Sequence, residues 1–235
     1  QWVAMVITLF AVIKKYSLKG QFKFDACKQI YANGIGSIVT QSLYTFYIVG
    51  LNMILKIFTE DAVTVLGIYY KIQSFFFIPL LGFQQVLLPL FSYNYGAGDN
   101  HRNREILKSA ILFSVSIMAI ATGIFFLFPK KLVQIFSAKS AIVAIGKYVF
   151  PVISISFVFA GLTIVITSYL QGIARIKTSL FIIILRQIVL LVPLAWVFHF
   201  IGLNAVWWTF PVTEIIASMT GILIIVILRK QDRGI

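Results

Sequence analysis

Runs of about 20 apolar residues, the length that crosses a ~30 Å hydrocarbon core at 1.5 Å per residue, recur along the chain with short polar interruptions. The pattern predicts six full spans: Ile30–Leu55, Val63–Tyr93, Ile106–Phe128, Ile142–Leu170, Ser179–Phe200 and Leu203–Leu228. A shorter apolar stretch, Gln1–Ile13, precedes them. Several spans exceed twenty residues, so tilt or kinks at Pro79, Pro89, Pro151, Pro193 and Pro211 are expected. The first stretch is not a secretory signal, because the lysines follow the apolar residues instead of preceding them. With no initiator methionine ahead of it, it is expected to be the end of a helix that begins outside this chain. The expected organisation is therefore a truncated helix end at 1–13, a linker at 14–29, a six-helix lobe at 30–228 and a tail at 229–235.

Composition agrees with the pattern. The 235 residues are 60% hydrophobic and 11% charged, with a mean hydropathy of +0.97, whereas soluble domains average about 25% charged residues. A single cysteine, Cys27, excludes a disulfide-stapled fold. The net charge of +13 would suggest nucleic acid in a soluble chain, but here the bases sit in loops between apolar runs, so no nucleic-acid partner is expected. One set of alternate loops holds thirteen Lys and Arg residues, from Lys14 to Arg233, and the opposite set holds five: Lys56, Lys130, Lys131, Lys139 and Lys147. By the positive-inside rule the C-terminus is expected in the cytoplasm. Lys71 and Arg186 are left inside spans.

The connecting loops offer little chemistry. The glycines of Asn94–Arg104 lack the following Gly-Lys-Ser/Thr of a phosphate loop, so a helix stop at Gly96 and a cap at Asp99 or Asn100 is expected. Pro129–Phe136, with apolar Leu132, Val133, Ile135 and Phe136 beside two lysines, reads as an amphipathic turn along the outer membrane surface. Neither His101 nor His199 is expected to hold a metal, and His199 is expected to anchor a helix end at the interface. No nucleophile–base constellation can be assembled, so catalysis and a cofactor are not expected.

The informative residues are the charges at depth. Glu214 is the one carboxylate deep within a predicted span, where it costs ~2.5–3.5 kcal/mol unless paired or facing a cavity. The last two spans are joined by a short turn near Gly202, which makes them antiparallel neighbours. Arg186 lies about 15 residues before that turn and Glu214 about 12 after it, so their depths differ by only ~5 Å. They are expected to pair, with Lys71 facing a polar cavity; the pair is either coupling machinery or a lock between two helices. Polar residues recur in three other spans: Gln41, Tyr44 and Tyr47 in the first, Tyr69, Tyr70, Gln73, Gln84 and Gln85 in the second, and Ser154, Ser156, Thr163, Thr167 and Gln171 in the fourth. Rings with scattered amides suit a cavity for bulky, partly apolar, cationic ligands, while the plainer reading is hydrogen bonding between helices.

Several strings carry a family resemblance. Gly67–Gln73 (GIYYKIQ) leads through Pro79, Gly82, Gln84 and Pro89 to SYNYGAGDNHR at Ser92–Arg102, followed later by SYLQGIARIKTSL at Ser168–Leu180, LRQ at Leu185–Gln187 and Gly202–Pro211. Together they resemble the multidrug and toxic compound extrusion (MATE) transporters of the multidrug/oligosaccharidyl-lipid/polysaccharide exporter superfamily. The resemblance implies an all-α membrane protein: six transmembrane helices plus the end of a preceding one, forming the C-terminal lobe of a two-lobe, twelve-helix transporter. It implies export of organic cations or amphiphilic drugs in exchange for H⁺ or Na⁺ by alternating access, in a bacterial cell membrane among its lipids, with a missing N-terminal six-helix lobe as partner. Lys71, Gln73, Arg186 and Glu214 match residues of the family's motifs, and with Gln41 and Tyr44 they form the expected translocation set. Some members carry acidic coupling residues in the seventh and tenth helices, whereas the corresponding spans here hold no Asp or Glu. Gly36 and Ser37 stand where many relatives have proline. A lipid-linked oligosaccharide flippase and a non-transporting truncated remnant are the alternatives.

Overall fold

The computed structural model describes residues 2–15 and 42–231. Helix α1 (Trp2–Lys15) belongs to one unit, and the described residues from 42 onward belong to a second. That second unit contains α2 (described over 42–56), α3 (Glu60–Gly96), α4 (Asn100–Leu127), the short α5 (Pro129–Gln134), α6 (Ser140–Gly172) and α7 (Ile176–Ile184). A π-helical segment, Leu185–Leu191, joins α7 to α8 (Val192–His199), and a one-turn α9 (Leu203–Val206) precedes α10 (Thr209–Gln231). Five stretches among the described residues are long and apolar enough to cross a membrane: Glu60–Gly96, Asn100–Leu127, Ser140–Gly172, Ile176–His199 and Leu203–Leu228. They coincide with five of the six predicted spans. The expected linker 14–29, the residues Gly36 and Ser37, and most of the first full span lie outside the described residues.

Local chemistry sets the helix ends. Thr59 caps α3 by accepting a hydrogen bond from the Asp61 amide at 3.2 Å, and Glu60 and Asp61 place negative charge at the positive end of the helix dipole. α3 stops at Gly96, Gly98 takes φ +73, and Asp99 Oδ1 accepts from the Arg102 amide at 2.9 Å to start α4. The polar 94–104 loop is thus a capped turn. Asn103 Nδ2 donates to the Phe91 carbonyl across that turn at 3.3 Å, pinning α4 to α3. At the other end of the bundle, Lys139 Nζ meets Asp61 at 2.7 and 3.0 Å, joining the starts of α6 and α3.

The prolines behave differently from one another. Pro79, Pro89 and Pro151 lie within helices, as expected. Pro193 follows directly on the π-helical turn, where the widened ladder accommodates the missing N–H. Pro211 occupies the first turn of α10, whose amides have no intrahelical partner in any case, so it starts a helix and does not kink one. The last span is instead interrupted at Trp207–Trp208, between α9 and α10.

Helix α6 is the axis, packed by α3, α4, α5, α7 and α10. Lipid tails are as apolar as leucine, so close packing and not hydrophobicity must hold such helices together, and small residues permit it. A methyl group at Gly161 would stand 2.7 Å from Ser114 Oγ and 2.8 Å from Met118 Cγ of α4. At Gly172 it would meet Phe91 Cβ of α3, with backbone atoms of Ser92 and Leu88 at 3.3 and 3.4 Å. In the α5 segment Lys130, Lys131, Gln134, Ile135 and Phe136 are exposed, while Val133 is fully buried against Gly146 of α6. The segment is a plug with an apolar root, because a valine facing a glycine gains more from close packing than from lying in the interface.

Gly172→Ala is expected to lower stability by about 1–3 kcal/mol, because backbone cannot move aside as a side-chain tip can. Gly67→Ala, with nothing within 4 Å of the added methyl, is expected to be neutral or to stabilise by about 0.5–1 kcal/mol. Thermal unfolding of both variants in detergent checks this, and equal melting temperatures contradict it.

Candidate functional site

The site is a partly open cavity between α2, α3, α6, the π-helical span and α10, with a volume of about 440 Å³. That is within the range of ligand cavities, ~300–1,000 Å³. α2 contributes Tyr44 and Tyr47, one turn apart, their rings edge to face at 5.1 Å. α3 contributes Tyr69, Tyr70, Gln73, Phe77 and Gln84. Tyr69 also backs onto an aromatic core, stacking on Phe157 at 6.2 Å and meeting Phe210 edge to face at 5.8 Å. From α6 come Ser156, Ala160 and Thr167, and from α10 Phe210, Thr213 and Glu214. Ile183, Arg186, Gln187 and Leu191 form the remaining wall.

The π-helical segment spans the point where charge enters. Arg186 and Gln187, adjacent in sequence, both line the cavity from within it, and π-bulges are frequent at functional sites. Arg186 Nη2 lies 2.6 Å from Glu214 Oε1. The expected pair is therefore formed, as the depth argument across the Gly202 turn requires. The Glu214 side chain is 10% exposed and that of Arg186 26%, so Arg186 is the more exposed partner of the two that line the cavity. Among the described residues, Glu214 Oε2, Gln187 Oε1 and Thr213 Oγ1 have no hydrogen-bond partner, which leaves three unspent polar atoms at this wall. The hydroxyls on the α6 wall, by contrast, are spent: Ser156 donates to the Ile153 carbonyl at 2.6 Å and Thr167 to the Thr163 carbonyl at 2.9 Å.

Of the expected translocation set, Tyr44, Gln73, Arg186 and Glu214 meet at this cavity. Gln41 lies outside the described residues. Lys71 does not line the cavity: it is exposed on the far side of α3, with Nζ 5.7 Å from the centre of the Phe136 ring. Tyr70 and Gln73 line the cavity, and Lys71, one step of about 100° on from Tyr70, is turned away from that wall. Gln85 is exposed as well. In the fourth predicted span, Ser154, Thr163 and Gln171 serve helix packing: the Ser154 carbonyl accepts from Thr122 of α4 at 2.9 Å, and Gln171 Nε2 donates to Ser179 of α7 at 3.0 Å. Gln187, Thr213 and Phe210 were not singled out as site residues, although the first and second adjoin the two charges in sequence.

Metal chemistry finds no cluster of three His, Cys, Asp or Glu side chains among the described residues. His101 has a carboxylate one turn on: Glu105 Oε1 lies 3.8 Å from its Nδ1, but both side chains are largely in the open. His199 ends α8, its Nδ1 2.7 Å from the Trp196 carbonyl and its ring stacked on Trp196 at 4.6 Å.

The MatE family model matches residues 36–197. The chain belongs to the MatE family. Members of this family are transporters and not enzymes, and the chain is a multi-pass membrane protein. It is similar to the multidrug export protein MepA of Staphylococcus saprophyticus, 27% identical over 77% of this chain and 40% of that protein. It is similar also to MepA of Staphylococcus aureus, 23% identical over 88% of this chain and 46% of that protein. The chain thus spans less than half the length of these curated relatives. The fold matches an outward-facing multidrug resistance MATE family transporter of the MOP superfamily, with a TM-score of 0.82 at 21% identity, over 94% of this chain and 53% of that one.

Removing one member of the ion pair leaves a charge in a nearly dry wall. Arg186→Met is therefore expected to destabilise by about 3 kcal/mol, and Arg186→Met with Glu214→Leu to recover most of that loss. A double-mutant cycle on unfolding in detergent reads the coupling; additive losses in the cycle contradict it.

Proposed function

We propose that this chain is one lobe of a cation-coupled multidrug exporter, working with an N-terminal six-helix lobe and moving organic cations or amphiphilic drugs out of a bacterial cell by alternating access. The observation that carries this reading is the Arg186–Glu214 pair set into a tyrosine-lined cavity. Aromatic faces attract organic cations and supply area at low entropic cost, and Gln73 and Gln84 offer adaptable hydrogen bonds. The names of the relatives, multidrug export proteins, support the same substrate class.

The pair supplies an exchange logic. While Glu214 is ionised it balances Arg186, and the wall is neutral toward an arriving organic cation. When H⁺ or Na⁺ takes Glu214, Arg186, already the more exposed partner, is left uncompensated and repels a bound cation. Coupling ion and substrate then occupy the cavity in turn. The surplus of basic residues on the loops shared with the C-terminus, thirteen against five, supports a cytoplasmic C-terminus. A flippase for pyrophosphate-linked lipids would need surplus positive charge in the cavity, whereas Arg186 is balanced by Glu214 and Lys71 faces away.

Glu214→Gln, which keeps shape and removes charge, is expected to cut efflux of a fluorescent organic cation by at least about tenfold while folded protein remains in the membrane. Cells expressing the transporter, with Na⁺ and H⁺ gradients collapsed separately, provide the measurement. Efflux at the wild-type rate in the variant overturns the role given to Glu214, and insensitivity to both gradients overturns antiport.

A further inference from the structure

Buried hydroxyls in this bundle follow a rule. Where no neighbouring helix offers an acceptor, Ser and Thr turn back and donate to a carbonyl of their own helix, which is the ordinary solution in a medium without water. On α10, Ser218 donates to the Ile215 carbonyl at 2.9 Å and Thr220 to the Ile216 carbonyl at 2.8 Å. Thr209 and Thr213 of the same helix break the rule, as does the fully buried Ser114 of α4, which stands alone against Gly161. Both threonines are fully buried, and among the described residues neither Oγ1 has a partner. Two residues before Thr209, the fully buried Trp207 leaves Nε1 equally unpaired, and next to Thr213 the Oε2 of Glu214 is unpaired too.

These four groups form a series. Thr209 and Thr213 are one turn apart on one face of α10, with Cβ atoms ~5–6 Å from each other. Thr213 and Glu214 line the cavity; Thr209 lies a turn beyond it, and Trp207 lies at the α9–α10 break, toward the end of the bundle that carries Gly202 and α5. Leaving such groups dry costs free energy for each, and a buried water needs two to four polar partners. An indole N–H is donor only and two hydroxyls are donor and acceptor, so the series suits water and rejects a bare metal cation at its mouth.

We propose that Trp207, Thr209 and Thr213 hold a file of water molecules that conducts protons from the α9 end of the bundle to Glu214. This rests on the exporter reading above and selects H⁺ as its coupling ion. The terminal step balances simply: an O–H bond of a hydronium breaks, an O–H bond forms on Glu214, and the neutral acid releases Arg186. The other titratable groups lining the cavity with that carboxyl are Arg186 from the π-helical segment, Tyr44 and Tyr47 from α2, and Tyr69 and Tyr70 from α3, while α6 presents only hydroxyls and apolar groups. Within this set Arg186 is the positive charge that the arriving proton replaces.

The test uses the transporter reconstituted in proteoliposomes with Cys27 replaced by serine and transport confirmed. Thr209→Cys is near-isosteric and lies outside the cavity, so labelling there reports the file alone. A small methanethiosulfonate reagent is expected to modify it at least about tenfold faster than Ala217→Cys, a buried position on the same helix. Thr209→Val is expected to slow efflux driven by a proton gradient about tenfold, while binding of the fluorescent cation to the resting protein stays within about twofold. Labelling at 209 no faster than at 217, or unchanged proton-driven efflux in Thr209→Val, overturns the file. If Thr209→Val behaves as wild type while Glu214→Gln is inactive, the file is wrong and the exporter reading survives; if Glu214→Gln exports normally, the file loses its terminus and is overturned with the role given to Glu214; if the wild-type transporter moves no fluorescent cation, it is the exporter reading that fails.

Discussion

A hydrocarbon solvent offers an ionised side chain no hydration, so a carboxylate at mid-depth must find a cation, a cavity or both. Glu214 finds both, and much of the lobe is arranged around that requirement. Arg186 can reach it because the last two spans are antiparallel and joined by the short turn at Gly202, where φ is +135. The wall between them stays open because the π-helical turn, ahead of Pro193, carries Arg186 and Gln187 toward one space. The tyrosines of α2 and α3 close that space with groups that tolerate charge without carrying it.

The tight seams around α6 serve the same arrangement. A cavity in a bundle without a hydrophobic driving force persists only if the remaining helix contacts are close enough to hold it open. Gly161 against Ser114 and Met118, and Gly172 against Phe91, place α4 and α3 at distances that no larger residue permits. The Lys139–Asp61 pair adds a tie at the starts of α3 and α6, though an exposed lysine of this kind contributes little.

Much of this was legible from the chain. Spans follow from apolar run length, and the pairing of Arg186 with Glu214 follows from counting residues to a shared turn, because depth in a membrane is linear in sequence. Facing is not. Depth alone does not say that Lys71 faces away from the cavity: in a soluble helix an apolar stripe reveals the inner face, but in lipid both faces of α3 are apolar, and nothing marks the side on which Tyr70 and Gln73 lie. The π-helical segment left only Pro193 as a trace, and the break at Trp207–Trp208 none, since the run from Leu203 to Leu228 reads as one span. The i, i+3 spacing of Tyr44 and Tyr47 keeps both on one helical side however the helix is turned, and both line the cavity.

The same limit governs polar residues in general. Composition cannot separate a serine that tightens a helix seam from a threonine that faces a cavity, because both are small, polar and embedded in apolar sequence. The separation comes from where the hydrogen bond goes. Thr122, Thr163, Gln171 and Ser218 spend theirs on carbonyls or a neighbouring helix, and their contribution ends with packing. Gln187 Oε1, Thr213 Oγ1 and Glu214 Oε2 spend nothing among the described residues. In a medium where an unmet polar atom costs more than it does at a wet surface, such atoms gathered at one wall are the part of the structure that packing does not explain, and they coincide with the only buried ion pair among the described residues.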